Sequence, residues 1–181
     1  LQTGVLQTFI LSVGSLGSIF GPGQVFDLPY TFRDDAVAEC VFDGPLMSEL
    51  RDTILGSNIP IRLMTVSNTG GWRNFANTKR QIAEPSDMRG LKIRTVVADL
   101  PQELVKALGA SPTPIPWPEL FTSFQTGVVE GSKNGITDIM NMKFPDAGLK
   151  YVTLDGHAYM GALWWMSNDT FMSMPHDMRR V

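Results

Sequence analysis

Cysteine is almost missing from this chain. Cys40 is the only one in 181 residues, so it closes no internal disulfide. It also has no neighbouring cysteine or histidine at zinc spacing. Its place in a helical pattern predicts a small core residue, and it says nothing about compartment. Histidine is scarce too, limited to His157 and His176. Neither stands near a Ser or Cys in a nucleophile motif such as Gly-x-Ser-x-Gly. No residues have metal-ligand spacing, and "GPG" at 21–23 lacks the Gly-x-Gly-x-x-Gly pattern of a phosphate cradle. No metal or other cofactor is therefore expected. Basic runs are absent, and 15 Lys and Arg against 18 Asp and Glu give a net charge of -3, which leaves no nucleic-acid footprint. Long hydrophobic runs are absent as well. No apolar stretch reaches the ~20 residues of a membrane-spanning helix. The nearest, "GVLQTFILSVGSLGSIFG", is cut by Gly and Ser and reads as buried strand and loop.

What is present is a chain with 43% hydrophobic residues, enough for one core or two small lobes. "VFDL" reads as a short strand stopped by Pro29. "RDDAVAECVFDGPLMSELRDTIL" carries apolar residues at helical spacing, with Asp34 or Asp35 as cap and Gly44-Pro45 as a break. Residues 59–66 read as a strand. "TGGWRNFANTKRQIAEPSDMRG" has turn chemistry throughout, with Gly70 and Gly71 as permissive points and "EPSDMRG" as a capped turn. Next come strand "LKIRTV", helix "DLPQELVKALGA", a Pro-rich link, and a helix bearing Leu120, Phe121 and Phe124. A short strand, a turn and a helical segment lie in "VVEGSKNGITDIMNMKF". An apolar strand covers 159–166, on which Trp164 and Trp165 point to opposite faces. Strands alternating with helices predict an α/β fold with mostly parallel strands. The chain opens on "LQTGVLQ" and stops at "MPHDMRRV", where Pro175 and Asp177 announce a helix. It is expected to be part of a longer protein, in which any leader peptide lies outside these residues.

Arg94 poses the functional question. It sits near the carboxyl end of "LKIRTV", directly before a helix, and ligands of open α/β sheets lie beyond that end. A guanidinium there can clamp a carboxylate with two parallel hydrogen bonds. Spacing alone favours a salt bridge to a strand-end acid, since most charged residues near strand ends are paired or solvated.

The segments "EPSDMRGLKIRTV", "ALGASPTPIPWPELFTSFQTGVVEGSKNG" and "LKYVTLDGHAYM" decide between these by their order. With "LQTGVLQ" and "VFDLPYTF" upstream, they resemble the DctP-like solute-binding proteins of tripartite ATP-independent periplasmic (TRAP) transporters over nearly the whole chain. The resemblance implies a type II periplasmic-binding-protein-like α/β fold of two lobes around a ligand cleft, here truncated at both ends. It places lobe I in 1–70, lobe II in 71–157 and the return to lobe I in 158–181. It implies a periplasmic, non-enzymatic, monomeric receptor. Such a receptor binds a small organic acid anion and delivers it to the membrane permease subunits of the transporter. Arg94 then matches the family's carboxylate-binding arginine, Arg73 in "GGWRNFAN" an auxiliary one, and Asn134 in "GVVEGSKNG" a ligand-touching asparagine. Two positions depart from the family: Lys133 stands where an acidic residue is common, and Tyr30 where Phe is common.

Trp72 and Trp117 offer rigid apolar walls beside these segments, or core packing. Tyr30 offers a hydroxyl that both donates and accepts. Glu119 suits a helix start, and Glu130 a structural pairing with a cation. His157 either bonds hinge backbone or touches ligand. The aromatic residues, and the lack of an acid before Asn134, lean toward an acid with an apolar or ring-shaped body. The rival is an α/β enzyme acting on a small carboxylic acid, with His157 or Glu119 as general base.

Overall fold

A computed structural model describes residues 5–179. The first four residues of "LQTGVLQ" lie outside that range. In chain order the elements are β1 (Thr8–Ser12), 3-10 turns at Val13–Ser18 and Gly21–Asp27, α1 (Asp35–Phe42), α2 (Pro45–Gly56) and β2 (Ile61–Asn77). A 3-10 turn at Pro85–Met88, β3 (Lys92–Thr95), α3 (Asp99–Ala107) and β4 (Ser111–Pro114) follow. The chain continues through a 3-10 turn at Trp117–Glu119, α4 (Leu120–Gln125), β5 (Gly131–Asn134), α5 (Ile136–Asn141) and a 3-10 turn at Phe144–Ala147. It closes with β6 (Tyr151–Ser167) and α6 (Asn168–Ser173).

The strand order is β1-β6-β2-β5-β3-β4. β3 runs parallel to both β4 and β5, while β1–β6 and β2–β5 are antiparallel. The sheet is therefore mixed, and the expected parallel pairing is confined to the three strands joined through α3 and α4.

Two compact units divide the chain. The smaller holds the residues up to Ser12, Arg33–Asn68 and the chain from Gly161 on. The larger holds Val13–Phe32 and Thr69–Met160. Residues 13–32 thus group with the larger unit, whereas the sequence assigns them to the first lobe.

In the smaller unit, Asp34 caps α1 by accepting from the Val37 N–H at 2.9 Å, as its sequence position predicts. Pro45 opens α2 where the break was expected. Cys40 corrects its expectation: it is exposed, because α1 turns Ala38 and Phe42 inward. On β6, Trp165 is buried and Trp164 half exposed, as strand alternation requires.

In the larger unit the sheet is covered on both faces. One cluster centres on Ala76, Ile115, Leu120, Phe124 and Phe144. The other centres on Phe75, Met88, Leu91, Ile93 and Val105. Ala76 and Phe75 are consecutive on β2, so alternation sends them to opposite faces. Burial on both faces explains why residues 73–77 are all buried and show no polar alternation.

Two elements differ from the sequence reading. "VFDL" is not a strand; it ends the 3-10 turn Gly21–Asp27. Pro22 favours that turn, and Gly23 allows it to pack on Leu16, whose Cδ2 would lie 2.4 Å from an added Cβ. "TGGWRNFAN" is not a turn but the continuation of β2. Its Gly70 carbonyl would lie 2.7 Å from a Cβ on Gly135, so Gly135 serves close backbone approach, while Gly71 supplies a positive φ of 72° within the strand. The "EPSDMRG" turn is as expected, with Glu84 and Asp87 forming a reciprocal capping box.

Gly131 shows the same constraint inside the sheet. A Cβ there would stand 2.6 Å from the Ala76 carbonyl oxygen and 2.7 Å from Ile93 Cδ1. Gly131→Ala should cost about 1–3 kcal/mol by overpacking, whereas Gly56→Ala, in open space at the end of α2, should stabilise by up to about 0.5 kcal/mol through helix propensity. Urea unfolding of both variants tests this, and a neutral Gly131→Ala would reject the close approach.

Candidate functional site

The sheet of the larger unit gathers buried charge at one end. Arg94 lies on β3 opposite Ser132 of β5. The strands are parallel, so Lys133 and Asn134 fall just past Arg94 in the carboxyl direction. On the other side β5 pairs with β2, with Lys133 opposite Phe75 and Asn134 opposite Asn74. Arg73 is one residue beyond that pair. Register alone thus brings Arg73, Arg94, Lys133 and Asn134 to the carboxyl ends of β3 and β5. All four are at most 4% exposed.

Asp27 meets this group from the 3-10 turn. Its carboxylate is 3.6 Å from Arg73 Nε and 3.8 Å from Lys133 Nζ. Both are ion-pair distances rather than hydrogen bonds. Arg73 also donates from Nη1 to the Lys133 carbonyl at 3.2 Å. Arg94 is held differently. Its Nε donates to the Ile115 carbonyl at 2.9 Å, and its guanidinium carbon lies 5.7 Å from the Trp117 ring centre, within cation–π range. Among the described residues Arg94 forms no ion pair with a carboxylate. The internal salt bridge that spacing allowed is therefore not what occupies this arginine.

Three cations in a dry space repel one another. Burial, and then the Arg73 charge, pull the Arg94 guanidinium down to about 10. Burial pulls the Lys133 ammonium down to about 8; Asp27 opposes the fall, and Arg73 and Arg94 add to it. An anion entering the group would relieve this repulsion.

The other expected site residues are placed as follows. Trp117 sits beside Arg94 and packs edge-on against Phe144 at 5.7 Å, so it serves core and site together. Trp72 packs edge-on against Tyr159 at 5.5 Å. Tyr30 is not brought to the arginines. It is mostly exposed, in the left-handed region at φ 58°, and its N–H donates to the His157 carbonyl at 2.7 Å. It lines a separate cavity of about 270 Å³ with Phe75, Met88, Leu104, Asp155 and His157. His157 Nδ1 is 2.7 Å from Asp155, and the ring stacks on Phe75 at 4.6 Å. Burial lowers the His157 pKa against the Asp155 hydrogen bond, so the imidazole is neutral near neutral pH. Glu119 is exposed. Glu130 accepts from the Lys92 N–H at 3.1 Å and pairs with Lys79 at 3.4 Å, a structural role.

Asp27 is the residue sequence reasoning missed. A lone acid in an apolar run, "VFDLP", was its only signal. Lys133, known from sequence only as a departure, proves to be buried within the cluster.

In the unfolded chain Lys133 holds its proton up to its ordinary 10.5, and in the folded chain only to about 8. Between those values the unfolded state binds more protons, so stability should climb as pH rises through the window, by at most about 1.4 kcal/mol per pH unit. Chemical denaturation across that range should show the rise, and Lys133→Met should flatten it. Identical slopes in both proteins would contradict the burial of a charged Lys133.

The chain matches, over residues 1–181, the family described as bacterial extracellular solute-binding protein, family 7 (DctP). A solute-binding protein of Verminephrobacter eiseniae (strain EF01-2) is 34% identical over 175 residues, covering 97% of this chain and 51% of that protein. The 2,3-diketo-L-gulonate-binding periplasmic protein of Escherichia coli K12 is 31% identical over 136 residues, 75% of this chain and 40% of its own length. Among solved structures, a TRAP periplasmic solute-binding protein of Polaromonas sp. JS666 bound to D-erythronate superposes with a TM-score of 0.91 at 31% identity, covering 99% of this chain and 58% of that one. Another from Sulfurospirillum deleyianum, with bound succinate, gives a TM-score of 0.91 at 28% identity, over 98% and 56%. The chain spans about half the length of the curated relatives it matches.

Proposed function

Because this chain belongs to the family 7 bacterial extracellular solute-binding proteins, we propose that it is the ligand-holding part of a periplasmic receptor for a small organic acid anion, serving a TRAP-type secondary transporter. Arg94 takes the ligand carboxylate. Arg73 and Lys133 supply the surrounding positive potential, Asn134 donates and accepts hydrogen bonds, and Trp117 walls the arginine. The two compact units are parts of the receptor's two lobes. The permease subunits of the transporter receive the ligand, and no bond of the ligand is broken.

One observation carries this proposal. Arg94 is buried, already fixed at Nε by a backbone carbonyl, and unpaired with any carboxylate among the described residues. A charge held dry without a counterion is costly, and a ligand carboxylate is the group that balances it. The fixed Nε orients the guanidinium before ligand arrives, which lowers the ordering cost of binding. The ligands of the neighbours differ in body, but succinate and D-erythronate both carry a carboxylate. Among the described residues no helix is long and apolar enough to cross a membrane.

Arg94→Ala should weaken binding of the cognate acid by about 2–5 kcal/mol, the usual loss when one member of a buried charge pair is truncated. Arg94→Lys should also bind poorly, since an ammonium does not reproduce the planar fork. Titration calorimetry on the full-length protein measures both. Unchanged affinity in the alanine variant would reject the clamp, and conversion of the bound acid to product would reject a pure receptor.

A further inference from the structure

Lys133 and Arg94 belong to one buried cluster but to opposite faces of the sheet. Arg94 stands opposite Ser132, and Asn134, two residues on, shares their face. Lys133 stands opposite Phe75 and points to the reverse face. We propose that Asp27 is a positioning residue of the carboxylate site. From the 3-10 turn it holds Lys133 and Arg73 in place, and Lys133 acts on the ligand through this group rather than by touching it. This rests on the receptor reading above and deepens it.

Asp27 has no other occupation. It is 2% exposed, and neither carboxylate oxygen has a hydrogen-bond donor among the described residues. Its ion-pair partners there are Arg73 Nε at 3.6 Å and Lys133 Nζ at 3.8 Å. A dry, unbonded carboxylate is costly, so it persists where it separates two cations. The turn does not need it for docking. Leu16 and Phe26 bury the apolar side of the segment, and Gln24 Oε1 accepts from the Leu100 N–H at the start of α3 at 2.9 Å. Position 14 gives up a side chain to admit it, since a Cβ there would stand 3.0 Å from both oxygens. What Asp27 adds is charge, delivered between Arg73 and Lys133.

Every element around Lys133 brings a charged or titratable group. Asp27 comes from the turn, Asp155 and His157 from β6, Arg73 from β2 and Arg94 from β3. Asp155 is already engaged, by the Phe75 N–H at 3.0 Å and by His157 Nδ1 at 2.7 Å. That leaves Asp27 as the acid at ion-pair distance from Lys133. Arg73 links this group to the ligand. Its Nη1 donates to the Lys133 carbonyl at 3.2 Å, and its charge acts on Arg94. Asp138 on α5 also acts on Arg73 but is only half-buried, so solvent screens it. Without Asp27, Arg73 and Lys133 would repel each other and Arg94 unopposed, and the arginines would spread from the geometry that a carboxylate needs. Potential alone predicts the opposite, since deleting an acid beside an anion site favours the anion. The two effects differ in sign.

The experiment is titration calorimetry of the full-length protein with succinate, D-erythronate and a wider panel of carboxylic acids, together with urea unfolding across pH. Asp27→Asn should weaken every acid that binds by at least about tenfold, through lost preorganisation. Lys133→Met should weaken the same acids by less than Asp27→Asn does, since it removes potential but no ligand contact. Asp27→Asn should also let Lys133 lose its proton at lower pH. The stability rise that begins at about pH 8 in the wild type should then begin at least about one pH unit lower, a shift that a merely space-filling Asp27 would not cause. The double variant Asp27→Asn/Lys133→Met removes the unpaired cation with its partner and should fold even if Asp27→Asn does not. It should still bind at least about tenfold more weakly than the wild type. A smaller loss or a gain of affinity in the Asp27 variants, or an unmoved onset, would overturn the inference and leave the receptor standing. So would a larger loss in Lys133→Met than in Asp27→Asn, which would make Lys133 a ligand contact. If no acid in the panel bound the wild-type protein, the receptor and this inference would fall together.

Discussion

Three cationic side chains share one buried carboxylate in the larger unit, and the rest of the site follows from that imbalance. Asp27 lies between Arg73 and Lys133 at ion-pair distance from both. It offsets part of their charge and ties the 13–32 segment to the sheet, which accounts for that segment grouping with the larger unit. Gly14 is close against it, since a Cβ there would meet both carboxylate oxygens at 3.0 Å. Asp27 is engaged by Arg73 and Lys133, and Arg94 is without a carboxylate partner among the described residues.

The sheet makes this arrangement possible at tolerable cost. Parallel β3 and β5 and antiparallel β2 bring four polar residues to one end through register alone, while two apolar clusters seal the faces below. Alternation then sorts the cations. Arg94 shares its face with Ser132 and reaches Ile115 and Trp117. Lys133 shares the opposite face with Phe75 and reaches Asp27. Positive groups on both faces converge where the strands end, the region in which open α/β sheets bind ligands.

Much of this was legible in the sequence. The Asp34 cap, the Pro45 break, the capping box at Glu84 and Asp87, and the β3–α3 junction behind Arg94 all depend on local chemistry, and all appear where expected. The errors were non-local. Gly70-Gly71 looked like a turn, yet strand β2 runs through them, with Gly71 at a positive φ of 72° and Gly135 packed close on the Gly70 carbonyl. Cys40 fitted an apolar helical pattern but faces out, because α1 buries the stripe through Ala38 and Phe42. Tyr30 stood in a matching segment, but its left-handed backbone and bond to the His157 carbonyl turn it to a different cavity.

The sequence by itself determined the family, the alternation of strands and helices, and the presence of an arginine at a strand end before a helix. These are written in residue order and local propensity, which a linear reading can follow. Only the tertiary structure decided that Asp27 and Lys133 belong to the same buried group as Arg73, and that Arg94 has no ion pair with an acid among the described residues. Residues 27, 73, 94 and 133 are far apart in sequence, and their mutual charge balance exists only after the sheet has removed the water between them.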